Sequence, residues 1–411
     1  MSKISSNHKR ARTLDDDRDD ASSADYYYAV LGGTETGILS SWFRVMEWTG
    51  QHLHSYQNKD FILEDLRLEI RQLTRQLIEV KRRMRTVGDH YREARRASNP
   101  YEFLGEGQNG GLNSLFMNRS AIKLANLDAL LDWQLTIQPN FGPFRFVDLC
   151  GAPGGFSEYL MRRCVNLGVH ECHGYGMSLL GGNEYGAGVA WKIGDFCDFQ
   201  QRTKLKYQVC WDGSGDILDW NNVQELIATV SKDSETSKVQ LVVADGGFDA
   251  QRNAEDQEGM TQKLIVCEVA AALELLDVGG TLVLKLFGFQ TPVVQCVMRY
   301  LYASFERMVA LKPISSRPAS AERYVVFVNF RGNASNFDGQ CWKNQMFLGQ
   351  FVADVPTEKL DLYLGEFDRN MLVLNLKACH TMLSFMKREE SWDIPELSID
   401  ADDYRLCWRL M

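Results

Sequence analysis

What the sequence lacks narrows the field first. No stretch approaches the ~18 consecutive apolar residues that a bilayer-crossing helix needs, so no membrane-spanning segment is expected. The N-terminus opens on polar and charged residues and carries no apolar signal core, which predicts a chain kept in a reducing compartment with its ten cysteines as thiols. No two of them stand as C-x-x-C, which argues against a zinc ribbon or a thioredoxin-like centre. The nearest approach to a ligand set is Cys164, His170, Cys172 and His173. Its spacing fits no common finger, buried cysteines and surface histidines explain it, and no metal is expected. With nine prolines and no low-complexity tract, a fibrous or wholly disordered chain is excluded.

What is present is an ordinary globular composition, 411 residues with 45% hydrophobic and 11% aromatic side chains. The length suits two or three domains, or one large domain with extensions. The net charge of -9 hides local asymmetry. Residues 1–25 set a basic cluster (Lys9, Arg10, Arg12) beside an acidic one (Asp15, Asp16, Asp17, Asp19, Asp20) and hold too few apolar side chains to fold, so a disordered tail is predicted. The basic cluster has the composition of a nuclear import signal, although short Lys/Arg clusters are common by chance. From Asp60 to Arg96 the apolar spacing predicts one long helix whose polar face carries Lys81, Arg82, Arg83, Arg85, Arg92, Arg95 and Arg96. That face reads as a phosphate-facing surface or as a solvated one. Asn99-Pro100 ends the helix, because the residue before a proline is pushed out of the α region.

From Phe144 onward strands and helices alternate, predicting an α/β fold with a mostly parallel, doubly wound sheet and a ligand at the carboxyl ends of its first strands. Strands are expected at Phe144–Leu149, Gly174–Met177, Val239–Ala244, Thr281–Leu286, Arg307–Leu311 and Tyr324–Asn329, with helices at Phe156–Cys164, Thr261–Leu276 and Pro292–Tyr302. Between the first strand and the first helix stands Asp148-Leu149-Cys150-Gly151-Ala152-Pro153-Gly154-Gly155-Phe156. Its glycines let the backbone turn sharply and approach a ligand, with the helix N-terminal amides facing it. The spacing is not G-x-G-x-x-G and no Gly-Lys-Ser/Thr follows, which excludes a Walker-type phosphate loop and leaves no dinucleotide fingerprint. An acidic residue before the turn and a proline within it suit S-adenosylmethionine, and a structural turn without ligand is the other reading. Lys285 lies in the apolar run Leu282-Val283-Leu284-Lys285-Leu286-Phe287, where an unpaired lysine is rare. Asp245 ends a strand before Gly246-Gly247, a place that turn chemistry alone could account for.

These residues belong to a series of blocks: RRASNPYE (Arg95–Glu102), NRSAIKLANLD (Asn118–Asp128), DLCGAPGGFSEY (Asp148–Tyr159), DGSGDI (Asp212–Ile217), ADGGF (Ala244–Phe248) and KPISSRPASAERYVV (Lys312–Val326). In that order they resemble the Rossmann-like RNA 2'-O-methyltransferases of the FtsJ type, and among them the nuclear mRNA cap-1 methyltransferases. The resemblance implies a Rossmann-like, S-adenosylmethionine-dependent methyltransferase with an N-terminal helical extension. It divides the chain into a tail (1–25), a basic helical extension that contributes to RNA and cap binding (26–100), the methyltransferase domain (101–332) and a C-terminal extension of unread role (333–411), which composition assigns to packing. The family's Lys-Asp-Lys-Glu tetrad falls on Lys123, Asp245, Lys285 and Glu322. Lys285 would take the proton of a ribose 2'-hydroxyl or hold the developing alkoxide, its pKa lowered by burial and by Lys123, while Asp245 and Glu322 orient the two ammonium groups. Cys150, Gly151, Ala152, Pro153, Gly154, Gly155, Phe156, Asp216 and Ile217 would hold S-adenosylmethionine, with Asp216 near its adenosine end. Lys81, Arg82, Arg95, Glu255 and Ser320 would meet the substrate. Without the resemblance, Lys123 and Glu322 would read as solvated. The implied partner is capped mRNA, with other capping or transcription machinery alongside, in the nucleus, or in the cytoplasm were the source viral. The alternatives are the same chemistry on the second cap nucleotide, rRNA or tRNA, and a non-catalytic RNA-binding relative.

Overall fold

The computed structural model describes residues 46–48, 59–87, 90–99, 101–105, 115–136, 143–169, 171–179, 190–192, 204–209, 214–232, 238–247, 257–333, 337–344, 358–387 and 405. The tail 1–25 with its basic cluster, His170, Pro100 and Glu255 lie outside them.

The first described element is a strand, β1 (Met46–Trp48), so the N-terminal extension is not helical throughout. Helices α1 (Lys59–Val87) and α2 (Tyr91–Ser98) follow where one helix is expected. Between them His90 takes a left-handed φ of 70°, outside the right-handed helical region. Helix α2 stops where predicted, with Asn99 extended at φ -140°. A short 3-10 turn (Glu102–Gly105) leads toward α3 (Arg119–Leu130), whose first amides are capped by the Asn118 side chain, accepting from Ser120 at 2.9 Å.

The alternating region then supplies β2 (Phe144–Leu149), α4 (Gly155–Asn166), β3 (Glu171–Met177), β4 (Lys204–Val209), α5 (Trp220–Lys232), β5 (Val239–Ala244), α6 (Gln257–Leu275), β6 (Leu276–Leu286), α7 (Pro292–Ser304), β7 (Phe305–Leu311) and β8 (Arg323–Phe330). Two helices close the described chain, α8 (Gly339–Lys343) and α9 (Glu358–Lys387). The strands form one sheet in the order β1-β7-β8-β6-β5-β2-β3-β4. Pairing is parallel from β4 through β3, β2 and β5 to β6, and antiparallel where β8, β7 and β1 finish the edge. The chain leaves β2 toward β3 on one side and later builds β5 on the other, so strand order reverses between β2 and β5. In such sheets that switch point opens a crevice at the carboxyl ends of the strands.

Burial on both faces explains why the central strands are nearly continuous apolar runs. Val242, Val243, Leu282, Val283 and Leu284 have no exposed area, and α6 is apolar around most of its circumference, with Val266, Val269, Ala270, Ala271 and Leu273 equally enclosed. Helix α1 is different. Its apolar residues Leu66, Ile70, Leu73, Leu77, Val80 and Met84 repeat at three- and four-residue steps along one stripe. That stripe lies along α9: Leu66 and Ile70 cluster with Leu362, and Leu77, Val80 and Met84 with Leu376, Cys379, Met382 and Met386. The two helices therefore run side by side in the same direction. Gly365 permits the close approach, since a Cβ there would stand 2.8 Å from the Leu66 side chain.

Cys164 and Cys172 are buried with their sulfurs 3.3 Å apart between α4 and β3. His173, expected at the surface, is 3% exposed with Nε2 3.0 Å from the Glu171 carboxylate. It follows Cys172 on a strand that is covered on both faces, so both side chains of the pair are enclosed.

Candidate active site

The residues of the glycine-rich turn and of the Lys-Asp-Lys-Glu set meet at the switch point. Register pairs Leu149 with Ala244 and Ala244 with Leu284, so Asp148, Asp245 and Lys285 stand at neighbouring strand ends. On the turn, Cys150 adopts φ 57° and donates its N–H to the Met177 carbonyl at 2.7 Å, and Gly154 turns the chain into α4 with φ 113°. Asp148 is fully buried. Its Oδ2 accepts from Ser157 Oγ at 2.6 Å and from Ser157 N–H at 3.2 Å, whereas Oδ1 has no partner among the described residues. Burial first, with Asp245 adding to it, pushes this carboxyl up to about 7. A Cβ on Gly151 would fall 2.2 Å from the Asp148 carboxyl carbon, so only glycine lets the turn pass over it. Asp216 and buried Ile217 follow Gly215, which at φ 66° lies so close to the end of β3 that a Cβ would stand 2.0 Å from the Ser178 carbonyl. The loop 214–218 is thereby held over the same strand ends as the turn. Ala152, Pro153 and the buried Gly155 and Phe156 complete the approach to α4.

Two ion pairs form the second half. Lys285 Nζ lies 3.0 Å from Asp245 Oδ1 and donates to the Asp245 carbonyl, and Lys123 Nζ, reaching over from α3, lies 2.8 Å from Glu322 Oε2. Their side chains are only 10–17% exposed, so Lys123 and Glu322 are not the solvated residues their local sequence suggests. Tyr324, fully buried on β8, was not foreseen. Its hydroxyl bridges the acids, donating to Asp245 Oδ1 at 2.9 Å and lying 3.4 Å from Glu322 Oε1. Burial, followed by the two carboxylates, pushes the phenol well above its usual 10.0.

The expected lowering of the Lys285 pKa is reversed. Burial does pull it down, but Asp245, Glu322 and Glu268 together more than offset this, and the net direction is up from 10.5. Glu322 shifts oppositely: against burial, Lys123, Lys285 and Lys312 hold it well below the usual carboxylate range. Behind Asp245, Glu268 is buried at zero exposure, accepts the Gly246 N–H at 2.9 Å and is pushed up to about 8 by burial.

Of the substrate-side residues, Arg95 stacks its guanidinium 4.5 Å above the Tyr91 ring, Arg82 is exposed on α1, and Lys81 is half-buried near enough to affect Lys312. The Ser320 hydroxyl accepts the Glu322 N–H at 3.2 Å. Three blocks join at Glu102, which bonds Arg317 at 2.7 Å, pairs with Arg119 at 3.3 Å and accepts from Asn99 at 2.7 Å.

The geometry has a counterpart among known proteins: residues 116–330 match the FtsJ-like methyltransferase family. The chain belongs to that family. S-adenosylmethionine is its methyl donor, and the turn fits the donor's amino-acid end, offering helix N-terminal amides beside a buried carboxyl with one unpartnered oxygen. Among curated relatives, the mouse protein named cap-specific mRNA (nucleoside-2'-O-)-methyltransferase 1 is 33% identical over 252 residues, covering 58% of this chain and 28% of that one. The zebrafish protein of the same name is 32% identical over 322 residues, 73% of this chain and 37% of its own. The Caenorhabditis elegans protein is 29% identical over 285 residues, 64% and 29%. The matched segments thus span 28 to 37% of these relatives' length.

Proposed function

We propose that the chain transfers the methyl group of S-adenosylmethionine to the ribose 2'-oxygen of the first transcribed nucleotide of capped mRNA. The observation that carries this reading is the paired, largely buried set Lys285–Asp245 and Lys123–Glu322 beside the glycine-rich turn, in a family whose relatives bear the cap-specific name. The donor supplies a methyl on a positively charged sulfur, so the difficulty lies with the hydroxyl, a poor nucleophile that must be aligned and relieved of its proton. Lys285 is the group for it. With its pKa raised, its resting form is the ammonium, which suits donation to a developing alkoxide. To take the hydroxyl proton, Lys285 must first release one of its own to solvent; the neutral amine then accepts the proton that the 2'-hydroxyl loses. Asp245 and Glu322 hold the two ammonium groups, and Tyr324 fixes the spacing of the acids.

Lys81, Arg82, Arg95 and Ser320 take the cap and its phosphate bridge in this reading, with Glu255 a further contact. Residues 101–332 form the methyltransferase domain, flanked by 26–100 and 333–411. The site of action is the nucleus, beside capping or transcription machinery.

The test is transfer from labelled S-adenosylmethionine to matched RNAs bearing a 7-methylguanosine cap, an unmethylated cap or none, with nuclease digestion to locate the label. Label on the first-nucleotide ribose that needs a cap is expected, with Lys285→Ala lowering the rate by about 10²–10⁴ while donor binding persists. Label on uncapped RNA would transfer the reading to rRNA or tRNA, and RNA binding without transfer would leave a non-catalytic relative.

A further inference from the structure

Helix α9 lies beyond residues 116–330, yet two of its buried polar side chains reach the segment that carries Glu322. Asn375, 1% exposed, donates from Nδ2 to the Pro318 carbonyl and to the Ser320 carbonyl, the latter at 3.0 Å. Asp368, 3% exposed, pairs with Arg323 and accepts from the Phe289 N–H at 3.3 Å and from the Gln290 side chain. Arg323 passes that anchor on, donating to the Ala321 carbonyl at 3.1 Å and to the Phe287 carbonyl at 3.2 Å. Its guanidinium also lies against the Phe289 and Phe367 rings, 5.1 and 5.8 Å from their centroids. The carbonyls of 318, 320 and 321 are therefore fixed on one side of Glu322, and the side chain of 323 on the other. From the strand side, Lys312 donates to the Ser320 carbonyl at 3.0 Å and to the Glu322 carbonyl at 2.6 Å.

A helix seated only by apolar packing would not need two polar side chains with almost no exposed area. Each gives up hydration that its hydrogen bonds must replace, and both reach the same short segment, Asn375 with both of its bonds and Asp368 through Arg323. We propose that α9 is a positioning element of the active site: Asn375 and Asp368 set the path of residues 318–323 and so place the Glu322 carboxylate against Lys123. This rests on the reading that Glu322 acts in methyl transfer. Asn375 and Asp368 touch no reacting atom and act through Glu322.

The experiment compares full-length wild type, Asn375→Ala, Asn375→Asp, Asp368→Asn and Glu322→Gln in methyl transfer to capped RNA between about pH 6 and 9, with donor binding and thermal midpoint measured on each. Asn375→Ala should lower kcat by about tenfold to a hundredfold, the scale of a sub-ångström to ångström misplacement, while leaving donor affinity within about twofold. Asn375→Asp keeps the shape but, once ionised, faces two carbonyl oxygens with no donor to offer. Protonation restores one donor, so the ratio of its activity to wild type should rise as pH falls. A part played only in stability would leave that ratio flat wherever both proteins stay folded. The ratio also isolates position 375 from titrations common to both proteins. Near-wild-type kcat in all three α9 variants, a flat Asn375→Asp ratio, or a kcat loss matched by an equal loss of donor binding and thermal midpoint would overturn the proposal. If Glu322→Gln transfers at the wild-type rate, the reading beneath falls and the proposal with it. If Glu322→Gln is dead and the α9 variants are not, the proposal alone fails.

Discussion

Lys312 offers the sharpest quantitative test, because it is a fully buried lysine whose proton should be weakly held. It follows β7 and donates to Ser316 Oγ at 2.8 Å and to the Ser320 and Glu322 carbonyls. Burial, with Arg323, Lys123 and Lys81 adding to it and Glu322 opposing, lowers it from 10.5 to about 7. The network tolerates either form: a neutral amine still has two hydrogens for the two carbonyls and a lone pair for the Ser316 hydroxyl. Below about pH 7 the lysine is charged both folded and unfolded, so it contributes no pH dependence. Between about 7 and 10.5 the unfolded chain keeps the proton and the folded chain has released it, so the unfolded state binds more protons and stability rises with pH. The full fall corresponds to roughly 5 kcal/mol of proton affinity, an upper bound of which roughly 3 kcal/mol is gained by pH 9. Lys312→Met keeps the length and removes the charge. It should cost about 2–4 kcal/mol near pH 9, where two carbonyls lose their donor, and much less, or nothing, near pH 6.5, where wild type must also bury a charge. Urea unfolding of both proteins across this range measures it, since other titrating groups are shared and cancel in the difference. A difference that stays constant with pH would mean that the three acceptors hold Lys312 as an ammonium and that burial does not dominate.

Tyr324→Phe removes the hydroxyl between Asp245 and Glu322; kcat should fall about tenfold with a stability loss near 1 kcal/mol, read by single-turnover transfer and by denaturation, and unchanged kcat would exclude a spacing role. Gly215→Ala forces a Cβ onto the Ser178 carbonyl at a left-handed φ of 66°; it should cost about 1–3 kcal/mol and weaken donor binding by calorimetry, which unaltered affinity would contradict. For Lys285, whose pKa is raised chiefly by Asp245 against burial, any rate limb that reports its deprotonation should lie above the ordinary lysine range. Asp245→Asn, which removes the leading cause of the rise, should shift that limb to lower pH, and a shift upward in the pH–rate profile would refute the assignment.

The parts of this architecture legible in the sequence are those governed by local chemistry. Apolar runs such as Val239–Ala244 declare buried strands, a glycine-rich turn declares a backbone approach, and Lys285 stands out because apolar neighbours surround it on both sides. Lys312 follows the apolar Val309-Ala310-Leu311 and carries the same signal, which was available and unused. Strand β4, read KLKYQV, was missed because a strand with two lysines near a sheet edge has neither a long apolar run nor clean alternation. Strand β6 starts at Leu276 rather than Thr281: Leu276 pairs with Val239 and Thr281 with Leu241, so residues 277–280, with Gly279 at φ 85°, bulge out of the ladder where the sequence looks like a turn. The reversed Lys285 pKa was hidden for another reason: burial and the neighbouring cation can be guessed from sequence, but the number of carboxylates converging from β5, α6 and the segment before β8 depends on tertiary placement. Asn375 and Asp368 were unreadable on similar grounds, since their partners lie more than forty residues away.

The parallel pairing of α1 with α9 also bears on how the protein is made. Nearly 270 residues separate the end of one helix from the start of the other. At roughly 5–20 residues per second of synthesis, the Leu66–Met84 stripe spends on the order of 15–50 seconds without its partner. During that interval an amphipathic helix with an uncovered apolar face is a natural client for chaperones, and toward its end the loop bearing Glu322 is itself made about fifty residues before its anchor.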